Sequence, residues 1–147
     1  MRARSILPLL GTCALALAWL TGCGSEIGRT SCKGANQPFE GTITVPEGKP
    51  VAVWSEIDIS YEGSKSLSYR IELLKDGESV YEGTCDPRDT NVTMNSVEKN
   101  VGSKRSLRQQ GKMKCPEITD PGEYEVKAEL VADEGISVSS CDLIFKQ

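Results

Sequence analysis

Residues 123–130 read Glu-Tyr-Glu-Val-Lys-Ala-Glu-Leu, and residues 67–73 read Leu-Ser-Tyr-Arg-Ile-Glu-Leu. In both, an apolar side chain alternates with a polar or charged one. Successive side chains of a strand point to opposite faces, so each segment offers one face to a core and the other to water. The period continues outward. Phe39, Ile43 and Val45 alternate with Thr42 and Thr44. Val51, Val53, Ile57, Ile59 and Tyr61 share one face, with Ala52, Trp54, Glu56, Asp58 and Ser60 on the other. Glu47-Gly48, Glu62-Gly63 and Asp76-Gly77 fall between these runs as turns, the last a strong hairpin signal that leads to a short strand around Val80 and Tyr81. In the last segment Ile136 and Val138 have one parity, while Cys141, Leu143 and Phe145 have the other, which predicts a β-bulge near Ser139-Ser140. No helical period of useful length follows residue 32. The expected fold is all-β: an antiparallel sandwich of about seven strands.

Residues 86–114 depart from this regularity. Asp86-Pro87 opens a polar stretch that reads as a long loop, with short strands near 92–97 and 107–113. Residues 24–31 are small and polar and read as a tether, which fully extended would reach at most about 28 Å.

The beginning of the chain is of another kind. Arg2 and Arg4 precede an apolar run from Ile6 to Leu20, and the first acidic residue is Glu26. A short basic segment followed by such a run predicts a secretory signal over 1–22; a membrane span would need a longer apolar stretch. Leu20-Thr21-Gly22-Cys23 resembles the bacterial lipobox. The resemblance implies that Cys23 receives diacylglycerol and becomes the first residue of the mature protein, usually with an acylated amine (palmitate-type chains). It also implies residence at a membrane, since each buried methylene contributes about 0.8 kcal/mol and two or more chains anchor stably. Gly24 stands where an Asp would resemble an inner-membrane retention signal, so the expectation is the outer membrane, on its periplasmic or cell-surface face.

Composition narrows the function. The chain has 17 basic and 21 acidic residues. Removing Arg2 and Arg4 with the signal leaves fifteen basic residues and a charge of about −6, which argues against general nucleic-acid binding. Cys13 leaves with the signal and Cys23 takes lipid, so Cys32, Cys85, Cys115 and Cys141 remain. In an oxidising compartment an even count reads as disulfides, with three possible connectivities. The favoured one is Cys32–Cys141, tying the entry of the domain to its last strand, with Cys85–Cys115 closing the loop-like stretch. The expected organisation is a signal at 1–22, a lipidated and tethered segment at 23–31, and a sandwich domain at 32–147.

Asp120-Pro121-Gly122-Glu123-Tyr124 resembles the D-x-G-x-Y corner of immunoglobulin-like domains. That resemblance implies a tyrosine hydroxyl bonded back to nearby backbone and an immunoglobulin-like sandwich. Val126 replaces the cysteine of antibody-type domains, and Trp54 comes too early to be their core tryptophan.

A catalytic constellation is hard to assemble. The chain has no histidine, and neither a phosphate loop nor an EF-hand motif. Glu56 and Asp58 share a strand face and read as solvated carboxylates. Asp86, Asp89 and Asp120 could meet at one end of a sandwich and hold calcium, which needs six to eight oxygens. The expectation is therefore a non-enzyme with no cofactor or metal. Two features suggest contact residues. Trp54 lies in a polar strand phase. Lys99, Lys104, Arg105, Arg108, Lys112 and Lys114 fall in a stretch without an acidic residue, and Lys104, Arg105 and Arg108 are the cations chosen as candidate binders. The expected role is a membrane-anchored accessory subunit of an envelope protein complex serving secretion, assembly or surface motility. The alternatives are a binder of glycan, lipid phosphate or calcium, and an enzyme inhibitor.

Overall fold

A computed structural model describes residues 24–147. The expected signal segment, the lipobox-like residues and Cys23 lie outside the described residues. Nine strands follow in chain order: β1 (Glu26–Ser31), β2 (Pro38–Val45), β3 (Ala52–Glu62), β4 (Leu67–Lys75), β5 (Glu78–Cys85), β6 (Thr90–Val101), β7 (Lys104–Met113), β8 (Gly122–Ala132) and β9 (Ser137–Lys146). They form two antiparallel sheets, one of five strands in the order β1-β9-β3-β7-β6 and one of four in the order β2-β8-β4-β5.

The alternating segments pack as their period demands. Tyr124, Val126, Ala128 and Leu130 of β8 are buried against Leu67, Tyr69, Ile71 and Leu73 of β4, and Ile57, Ile59, Leu143 and Phe145 meet them from the other sheet. Fully burying an aliphatic or aromatic side chain of this size contributes about 1.5–3 kcal/mol. The phase change in β9 is a bulge: Asp58 pairs with Ser140 and Ile59 with Val138, so Ser139 is the extra residue. Cys32–Cys141 and Cys85–Cys115 are the disulfides, with Cα–Cα distances of 5.4 and 5.6 Å. The Tyr124 hydroxyl donates to the Asp120 carbonyl at 2.8 Å, the backbone bond that the corner motif implies.

The strand neighbours locate a difference from immunoglobulin domains. Sheet runs β3-β7-β6 and β8-β4-β5 match the B-E-D and F-C-C′ neighbours of that architecture. The end strands are exchanged. β9 pairs with β3, where an immunoglobulin first strand would lie, and β2 pairs with β8, in the place of its last strand.

Three expectations change. Residues 24–31 are not a tether, because residues 26–31 form β1 on β9, and the folded unit starts before Cys32. The small residues that suggested a tether serve close packing. A Cβ on Gly41 of β2 would collide with the Thr30 side chain of β1, and one on Gly28 would stand 2.6 Å from Ile43 Cγ2. These glycines let the edges of the two sheets approach and close that side of the sandwich. Secondly, 86–114 is not mainly a loop. It carries the long β6–β7 hairpin, turned at Gly102 with φ +62°. Thirdly, the described residues form nine strands rather than about seven. β6 shows no alternation in the sequence because neither of its faces is buried.

Candidate functional site

β6 is the outermost strand of the five-stranded sheet, and every residue from Asn91 to Val101 is exposed. Its register on β7 fixes which side chain points where. Val92, Val97 and Val101 stand opposite Lys112, Arg108 and Lys104 on the outer face. Thr93, Ser96 and Glu98 stand opposite Gly111, Gln109 and Leu107 on the inner one. These inner-face residues of β6 are exposed too, so among the described residues β6 is open on both faces as well as along one edge. Five large apolar side chains are exposed among the described residues: Val80, Val92, Met94, Val97 and Val101. Four of the five belong to β6, and Val101, at 76 % exposure, marks the tip of the hairpin. Register shifts between Thr90 and Val92 and between Thr93 and Asn95 kink the first half of β6. Residues 95–101 then run in regular register, leaving a seven-residue ladder of backbone groups that a further strand could pair with.

The basic stretch divides on this surface. Arg108 pairs with Asp58 at 2.6 Å, Lys112 with Glu117 at 2.6 Å and Lys114 with Asp89 at 2.5 Å. The acids come from β3 and the flanking connections, so a local reading could not find them. Lys99, Lys104 and Arg105 have no ion-pair partner among the described residues, and they sit together in the distal half of the hairpin. Of the candidate cations, Lys104 and Arg105 therefore remain available while Arg108 is engaged. Lys99, the first cation of the same basic stretch, joins them. Asp58, Val97, Lys99, Ser106 and Arg108 line a shallow hollow of about 300 Å³ on the outer face.

Trp54 is not an exposed anchor. It is 6 % exposed and packs with Ala52 and Ile144 in a small cluster on the outer face. Lys146 lies 4.4 Å above the ring, and the same ammonium is 3.7 Å from Met94 Sδ. A cation stacked on the ring covers it and contributes by cation–π attraction. The polar phase of the sequence concealed this, since the cover comes from the last strand and from β6.

The candidate acids are also engaged. Glu56 and Asp142 meet Arg29 at 2.9 and 2.6 Å, and Glu26 binds the same guanidinium at 3.1 Å. Hydrogen bonds that Arg29 donates to Glu26 and Glu56, and then to Asp142, raise its pKa against the opposing effect of burial. Asp86 is clamped by Arg88 at 2.7 Å, and Asp89 by Lys114. Two of the three proposed calcium acids therefore have separate cationic partners, and among the described residues no group of three or more His, Cys, Asp or Glu has metal-binding spacing.

The register also sets distances along the sheet. Ser25 and Gln147 exchange both backbone hydrogen bonds at one end, and Glu26, Lys146 and Ala52 lie level there. At the other end the backbone of Glu62 lies in register with that of Lys104. From Lys112 to Lys104 the sheet extends about 26 Å at about 3.3 Å per residue. The hairpin tip, with Val101, Lys104 and Arg105, therefore lies at the opposite end of the sheet from Gly24.

No protein-family profile matches this chain, and no curated protein matches it.

Proposed function

We propose that the protein is a lipid-anchored, non-enzymatic binding subunit of the bacterial cell envelope that docks a protein partner through β6. The observation that carries this reading is β6 itself: twelve residues long, at a sheet edge, exposed on both faces and bearing four exposed apolar side chains. Proteins usually blunt such an edge, because it templates strand pairing. Here only the first half is kinked. The lipobox residues Leu20-Thr21-Gly22-Cys23 support attachment at Cys23, and the paired cysteines suit an exported protein of the outer membrane. Attachment at Cys23 would hold β1 close to the bilayer with no slack, because Ser25 is already bonded to Gln147. The hairpin tip would then project away from that membrane.

The experiment has two arms. Full-length protein and Cys23→Ala are expressed with an alkynyl palmitate analogue and fractionated. Label and membrane residence in the first, and neither in the second, support the anchor. Chemical cross-linking in cells then compares the wild type with Val97→Asp/Val101→Asp. Defined envelope proteins captured by the wild type and lost in the double variant support docking at β6, while unchanged capture contradicts it.

A second reading is favoured by Lys99 in the outer-face hollow, with Lys104 on the same face: direct binding of an anionic glycan or phosphate. A shift in melting temperature with those ligands, abolished by Lys99→Ala/Lys104→Ala, would support it.

A further inference from the structure

We propose that the segment docking on residues 95–101 is an extended strand from another protein, acidic at the position facing Lys99 and apolar on either side of it. This rests on reading β6 as a docking edge and adds the chemistry of the occupant. In a strand laid antiparallel along β6, the residues opposite Val97, Lys99 and Val101 face outward with them. Val97 and Val101 each leave apolar surface that a cross-strand apolar neighbour would cover. Lys99 lies between them with no ion-pair partner among the described residues; Lys104 carries positive charge to the tip on the same outer face, and Arg105, opposite Asn100, carries it on the inner face. An acidic side chain opposite Lys99 complements the outer-face charge, and another beyond Val101, in the inner phase, approaches Arg105. On the inner face, Ser96, Glu98 and Asn100 call for neutral polar neighbours, with an acid excluded opposite Glu98.

A second copy of this chain fits less well. Antiparallel pairing of β6 with its own copy places a two-fold axis perpendicular to the joined sheet. That axis carries the second Gly24 to the far end, so two Cys23 anchors could not enter one membrane surface. Parallel pairing would keep the anchors together but gives a weaker ladder. Registers that centre on residue 98 or 99 would also set Glu98 against Glu98 or Lys99 against Lys99, which is unfavourable.

The test uses the full-length lipidated protein in nanodiscs and a labelled, end-blocked heptapeptide, Glu-Val-Thr-Glu-Thr-Val-Thr. Fluorescence anisotropy gives affinity, and hydrogen exchange with mass spectrometry gives location. The expected result is saturable binding that slows exchange within 95–101. Replacing both peptide glutamates by lysine weakens it at least tenfold, and Lys99→Glu/Arg105→Glu reverses the preference. These side chains are exposed, and an unchanged melting temperature confirms that the variant is folded. N-methylation of alternate peptide amides abolishes binding if the pairing is through backbone. Absence of binding, equal affinity for both peptides, or protection elsewhere overturns the inference. The docking reading fails separately, when partner capture in cells does not depend on Val97 and Val101. Assembly of nanodisc-bound protein into dimers cross-linked through β6 would replace the foreign strand by a second copy.

Discussion

Ser25 and Gln147 hold each other by two backbone hydrogen bonds, Ser25 N–H to Gln147 C=O at 3.0 Å and Gln147 N–H to Ser25 C=O at 2.9 Å. The two ends of the domain are thus joined, and a few residues on, Cys32 is joined to Cys141. β1 is fixed at both of its ends to β9. A lipid at Cys23 would be attached to the rigid sheet, and the orientation of that sheet would set where β6 is presented.

The two disulfides close loops with sequence separations of 109 and 30 residues. Loop-closure entropy gives about 3–5 kcal/mol for each. Reduction is expected to lower the melting temperature markedly, and Cys85→Ser/Cys115→Ser should retain β1 pairing while loosening the junction of β5 and β6. A melting curve indifferent to reductant would contradict this.

Gly41→Ala places a methyl group against the buried Thr30 side chain. The expected loss is about 1–3 kcal/mol, the usual cost of overpacking. Thr30→Ala in the same chain should recover most of it, a coupling that a denaturant double-mutant cycle reads directly. Additive losses would show that the two sheet edges do not pack as described.

Ser55 lies on β3 with no exposed surface, and its hydroxyl has no hydrogen-bond partner among the described residues. A buried polar group left unpaired is costly. Ser55→Ala should leave stability unchanged or raise it by up to about 1 kcal/mol. A loss larger than about 1 kcal/mol would indicate a partner for the hydroxyl.

Burial pushes the Tyr81 phenol up to about 12, while its hydroxyl donates to the Pro116 carbonyl at 2.9 Å beside the Cys85–Cys115 bridge. In the unfolded chain it would ionise near 10. Stability from the neutral phenol is therefore complete below about pH 10 and is lost as pH rises from there through about 12. Burial raises Tyr69 and Tyr124 as well, so the wild type weakens in this window through several groups. Tyr81→Phe should be about 1 kcal/mol less stable at neutral pH, for the lost hydrogen bond, and the difference should narrow above pH 10. A difference independent of pH would contradict the assignment.

The sequence disclosed the sandwich wherever one face of a strand is buried. β2, β3, β4 and β8 alternate because each buries one face, and the parity switch at Ser139-Ser140 marks the bulge. β1 and β6 were hidden by the same physics. β6 has no buried face, so Val92, Val97 and Val101 carry no core signal, and β1 reads as linker because Gly28 must stay small against Ile43. The local cue for the hairpin was Val101-Gly102-Ser103-Lys104, a glycine turn between two polar runs. The candidate site was legible only in part. Lys104 and Arg105 were found as uncompensated charge. The partners of Arg108 and the cover over Trp54 come from strands remote in sequence, as ion pairs and stacking across a sheet generally do.

The central claim is that β6 is where a partner binds. A photo-reactive amino acid placed singly at Val97, Lys99 and Val101 of the full-length protein, and at Thr42 on β2 and Thr84 on β5 as controls, tests it in living cells. The account predicts adducts to the same envelope protein from all three β6 positions, lost on Lys99→Glu/Arg105→Glu, with none from Thr42 or Thr84. Adducts from the control positions alone, or equal labelling everywhere, would contradict it.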